Sequence, residues 1–86
     1  MKIICNLNLF SLDQIVYLAT DAGTIEPIAE VEMEQLPEVL AAVCNEYDTH
    51  EVLLSGYTVY AETIAEDVKE FGLKHYSNNN IKVEVI

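Results

Sequence analysis

Eighty-six residues make one domain with a modest core, and 51% of them are apolar, which argues against a disordered chain even at a formal charge of −11. Fifteen Asp and Glu stand against four lysines (Lys2, Lys69, Lys74, Lys82) and no arginine. That balance speaks against direct binding to a nucleic-acid backbone or an anionic membrane, both of which are held through Lys and Arg, and points to a basic protein partner or a multivalent cation, the alternative being that the acids only keep a half-apolar domain soluble.

Taken in order, Lys2 to Phe10 alternates Ile3, Cys5, Leu7 and Leu9 on one face against Ile4, Asn6, Asn8 and Phe10 on the other, which predicts a first strand. Ser11-Leu12-Asp13 supplies turn residues. Gln14 to Thr20, rich in β-branched and aromatic residues and apolar on both faces, predicts a second strand. A turn at Asp21-Ala22-Gly23-Thr24 then joins it in a hairpin to a third, Ile25 to Met33. The pattern of the third strand sets Ile25, Pro27, Ala29, Val31 and Met33 on one side and Glu26, Ile28, Glu30 and Glu32 on the other. Pro27 cannot donate to a ladder and predicts a sheet edge, which the glutamate row would protect against pairing with other chains.

Gln35 to Tyr47 predicts a helix, with Leu36, Val39, Leu40, Val43, Cys44 and Tyr47 on its apolar face and Pro37 tolerated in the first turn. Glu34 and Glu38 suit its positive end. Val52-Leu53-Leu54 reads as a central strand buried on both faces. A second helix follows, capped by Ser55 or Thr58 and running to Tyr76, with Tyr57, Tyr60, Ala61, Ile64, Val68 and Phe71 toward the core. Gly72 lies on that apolar side, where a missing side chain allows close approach. Ser77 to Asn80 is a loop, and Ile81 to Ile86 a last strand. The N-terminus reaches the polar Asn6 too early for a signal peptide and no run is of transmembrane length, so the expected location is cytoplasmic, with Cys5 and Cys44 as free, buried thiols.

The element order β-β-β-α-β-α-β predicts a mixed α/β (α+β-like) fold, residues 1–86 forming a single domain. In this order the chain resembles the ribonuclease H-like superfamily core, and the resemblance implies a five-stranded mixed sheet of order 3-2-1-4-5 with two helices. Nucleases of that superfamily place metal-binding acids within strand one, on the first helix and at the end of strand four. Here the matching stretches carry Asn6 and Asn8, then Leu54-Ser55-Gly56, and only Glu38 or Glu46 on the helix offers an acid. Neutral oxygen ligands do not supply the charge that holds a hard cation, so no catalytic set, cofactor or metal is expected. The loop Asp48, His50, Glu51 matches no established zinc spacing.

The remaining signal is the charge. Glu62, Glu66, Asp67 and Glu70 repeat at three- and four-residue spacing on the outer side of the second helix, and like charges so placed repel, only partly relieved by Glu66–Lys69 and Glu70–Lys74 pairs. With Glu26, Glu30 and Glu32 they make a candidate anionic surface able to imitate phosphate spacing. The expectation is a non-enzymatic interaction module, an inhibitor or adaptor docking on a larger basic, possibly nucleic-acid-binding, protein, of a type common among viral and mobile-element products. The alternatives from other classes are a homo-oligomeric structural module and a degenerate metal-dependent nuclease.

Overall fold

The computed structural model describes residues 1–86, with every side chain except that of Thr58. Five strands, β1 (Lys2–Asn6), β2 (Asp13–Ala19), β3 (Ile25–Glu32), β4 (Glu51–Ser55) and β5 (Lys82–Val85), form one sheet of order β3-β2-β1-β4-β5. A short 3-10 turn, Met33–Gln35, leads into helix α1 (Leu36–Glu46), and α2 (Thr58–Tyr76) links β4 to β5. β1 pairs antiparallel with β2 and β2 with β3, while β1–β4 and β4–β5 are parallel. Both the mixed sheet and its strand order are those expected, and β3 with its Pro27 is an edge strand.

The central strand is not covered on both faces. β3, β4 and β5 run parallel, and the crossovers through α1 and α2 both step the same way along the sheet. Two right-handed crossovers in one direction put both helices on one face. The pairings Ile3 with Leu18 and Val52, and Cys5 with Val16 and Leu54, align these six side chains on that face, and all are buried. They pack against Leu36, Leu40, Ala41, Val43 and Cys44 of α1 and Ala61, Ile64, Ala65 and Val68 of α2. The molecule measures 32 × 30 × 20 Å, and its thin dimension matches two layers of about 10 Å each.

Local chemistry accounts for the other differences from expectation. β1 ends at Asn6 rather than Phe10, because the Asn8 side chain accepts the Phe10 N–H and starts a turn. On α2 the buried stripe begins at Ala61; Tyr57 and Tyr60 are exposed. Neither Ser55 nor any other described side chain caps α2, whose cap residue is Tyr57; capping by the Thr58 side chain lies outside the described residues. Helix α2 passes through Gly72 to Tyr76, as the apolar pattern predicts. A Cβ on Gly72 would lie 2.5 Å from Ile81 Cδ1, so this glycine serves close packing and not helix termination.

The largest correction concerns β3. Val16 pairs with Ala29 but Tyr17 with Pro27, so Ile28 is an extra residue, a β-bulge. A one-residue insertion inverts the facing of all that precedes it. Ile28 therefore joins Ala29 and Val31 against the core, while Ile25 and Pro27 move to the opposite face across from Ala19 and Tyr17.

Candidate partner-binding surface

On α2, Glu62, Glu66 and Glu70 occupy successive turns of the outer side and are exposed, with Asp67 half-buried beside them. Glu70 accepts a hydrogen bond from Lys74 Nζ at 2.6 Å, and this bond, with the ammonium charge, holds its carboxyl below the usual value. Among the described residues Glu66 makes no ion pair with Lys69; the other ion pair joins the N-terminal amine to Asp21. The remaining carboxylates thus face solvent without a cationic partner among the described residues.

The acids of β3 do not form one row. Glu30 and Glu32 lie opposite Ile15 and Asp13, on the face away from the helices, whereas Glu26 lies opposite Leu18 on the helix side, because the bulge at Ile28 separates them. Since α2 covers the other face of the sheet, its acids and the Glu30–Glu32 pair look out from opposite sides of the molecule. The predicted anionic surface is two surfaces.

Among the described residues no element lies over the face carrying Glu30 and Glu32. Register places Ile4 beside Tyr17 on one side and Leu53 on the other, and Ile15 and Pro27 extend this apolar strip toward β3. These side chains are half-buried by their neighbours in the sheet, or exposed, as Ile15 is at 42%. Asp13, Glu30 and Glu32 border the strip at the β3 side. Glu84, opposite Leu53, and the registered Glu51 and Lys82 border it at the β5 side, with Lys2 at one end.

At the end of β1 a built loop adjoins this face. Gln14 is buried at an inward position otherwise held by Val16 and Leu18, and its amide closes the loop: its Nε2 donates to the carbonyls of Asn8 (2.8 Å) and Ser11 (3.2 Å), and its Oε1 accepts the Asn8 N–H (2.7 Å). The loop so fixed presents Phe10 and Leu12 at 93% and 88% exposure. Sequence reasoning passed over Gln14, although a lone amide on the inward side of an apolar alternation is a signal of this kind, since a buried amide must find partners.

Asn6 and Ser55 are registered side by side at the carboxyl ends of β1 and β4. Gly56, at φ 106°, approaches the Leu7 backbone so closely that a Cβ would meet its carbonyl oxygen at 2.7 Å. Glu38 and Glu46 are exposed on α1; Glu38 borders a shallow dip of about 240 Å³ with Phe71, His75 and Tyr76. His75 is exposed and stacked on Phe71 at 5.3 Å between ring centroids.

Asp48, held at φ 50°, lines a depression with Asn45 and Tyr76 to Asn78, and Glu51, at the start of β4, lines a second one with Lys82; His50 borders both, while Asp48 and Glu51 share neither. Among the described residues no group of three or more His, Cys, Asp and Glu converges as a metal site. Cys5 and Cys44 are free and buried, and burial pushes each thiol up to about 11. No described helix is long and apolar enough to cross a membrane.

No protein-family model matches the chain, and no curated protein is similar to it. Among solved structures it is similar to the fowlpox virus Holliday junction resolvase, at 21% identity and a TM-score of 0.46, covering 98% of this chain and 60% of the resolvase. The chain thus spans about 60% of that protein's length. Likeness of this degree carries nothing about activity.

Proposed function

We propose that this protein is a non-enzymatic docking module that binds a larger basic protein and acts on it as an inhibitor or adaptor. The observation that carries the reading is the state of its carboxylates: fifteen acids on 86 residues, of which, among the described residues, only Glu70 is paired with a lysine. Such a field raises the encounter rate with a cationic surface and repels anionic ones. The neutral Asn6 and Ser55 at the strand ends, with Asn8 in the loop beyond β1, favour this reading over hydrolysis, because a divalent ion there would lack charged ligands.

The test is capture on the immobilised protein from a host lysate at low salt, followed by release in a salt gradient. The reading expects a stoichiometric basic protein that elutes at moderate salt, and that is lost from a variant carrying Glu30→Lys, Glu32→Lys, Glu62→Lys, Glu66→Lys and Glu70→Lys together. Retention unchanged by both salt and charge reversal contradicts it, since attraction between exposed charges is screened within about 10 Å at 0.1 M salt.

A further inference from the structure

One face of the sheet holds two helices, while the other leaves the Ile4, Ile15, Tyr17 and Leu53 strip without a layer. We propose that this open face is the docking surface for a cationic amphipathic helix of the basic partner, its apolar stripe seated on Ile4, Tyr17 and Leu53. The Lys and Arg residues flanking the stripe meet Asp13, Glu30 and Glu32 on one side and Glu84 on the other. The inference rests on the acidic-module reading above and names the surface and the partner's chemistry.

Three observations lead there. The first is size: five strands about 4.8 Å apart give a face about 19 Å wide, room for one or two helices of about 10 Å diameter, as the covered face already shows with α1 and α2. The second is chemistry: an apolar centre with a charged border is the arrangement of a protein interface, and single-sided sheets bury that centre against helices. The third is charge. Asp13, Glu30, Glu32, Glu51 and Glu84 border the strip against Lys2 and Lys82, so the border is anionic, most strongly at the β3 side. A second copy seated face to face would bring two such borders together, which costs the repulsion a cationic partner turns into attraction. The exposed apolar residues of α2 are split between its two ends, Tyr57, Val59 and Tyr60 at the start and Leu73 and Tyr76 at the finish, with Glu62, Glu66 and Glu70 between them, so the α2 acids do not border one continuous apolar strip.

The test uses the full chain and a labelled peptide of about 18 residues made of Leu and Lys, with Leu at i, i+3, i+4 and i+7. A scrambled peptide of the same composition serves as control, and binding is read by fluorescence anisotropy at roughly 20 mM and 300 mM salt. The patterned peptide is expected to bind at least tenfold more tightly than the scrambled one and to weaken with salt. Ile15→Lys with Glu30→Lys should weaken it at least tenfold, and Glu30→Lys with Glu32→Lys, which leaves the apolar strip intact, severalfold. Reversal of Glu62, Glu66 and Glu70 should change it less than threefold; circular dichroism checks that each variant is folded.

If the α2 reversal carries the loss, or the two peptides bind alike, the open face is not the site, and the acidic module stands without it. If light scattering shows a dimer that Ile15→Lys dissolves, a second copy occupies the face and the inference fails. If neither peptide binds even at low salt, the acidic-module reading fails with it.

Discussion

The two faces of one sheet, built from alternate residues of the same strands, differ in what they are allowed to be. Ile3 and Leu54 point into the helix layer and are fully buried; their sequence neighbours Ile4 and Leu53 point the other way and keep part of their surface in water. Hydrophobicity does not separate these pairs. What separates them is which face the two crossovers cover, so an apolar residue on β1 or β4 stabilises the fold on one side and is available to a partner on the other.

Substitution at neighbouring positions breaks this comparison most sharply. Leu54→Ala should cost about 2–5 kcal/mol, because it removes fully buried methyl groups and leaves a cavity, whereas Leu53→Ala should cost about 1 kcal/mol or less. Urea unfolding of the two variants measures the difference, and equal losses would mean that something covers the open face in solution. On the covered face, Gly72→Ala sets the roughly 1 kcal/mol that Ala gains over Gly inside a helix against displacement of the buried Ile81 methyl end, and a net cost of about 1 kcal/mol is expected. Thermal unfolding reads this directly, and an unchanged midpoint would show the α2 packing to be looser than the geometry indicates.

At the border between the two faces, Gln14→Leu keeps the volume but removes both ends of the loop's amide bonds. A loss of about 1–3 kcal/mol is expected from leaving the Asn8 N–H and the Ser11 carbonyl without their partner, while the Asn8 carbonyl keeps only the Ser11 N–H, with faster amide exchange confined to residues 8–14. A further effect is a pH dependence of the covered face. Cys5 and Cys44 titrate near 9.0 when unfolded and at about 11 when folded, so the folded state keeps protons that the unfolded state releases. Their contribution is therefore whole below pH 9 and is lost as pH rises toward 11. Chemical unfolding at pH 8 and pH 10.5 should show stability falling, and a Cys5→Ala, Cys44→Ala variant should show less of that fall.

Much of this was legible in the chain. Pro27 marks an edge, the i, i+4 rows of α1 mark its buried side, and the apolar row continuing past Gly72 marks a helix that does not stop there. The bulge was not legible. Glu26, Glu30 and Glu32 all occupy even positions, so period-two reading puts them on one face, and only the pairing of Tyr17 with Pro27 reveals the extra residue that separates them. Nor did apolar content tell which face of Val52-Leu53-Leu54 is covered; that follows from the direction of the two crossovers, a property of the whole topology. Tyr57 and Tyr60 fit the helical stripe of α2 yet precede the point where the helix meets the core, so periodicity placed inside two rings that stay outside.

The most direct measurement is a map of backbone amide shifts of the labelled protein as the patterned Leu/Lys peptide is titrated in. The account predicts that the shifts concentrate at Ile4, Ile15, Tyr17, Leu53 and Glu30, with α2 between Glu62 and Glu70 little moved. Shifts confined to the outer side of α2, with β1, β2 and β4 unaffected, would contradict it.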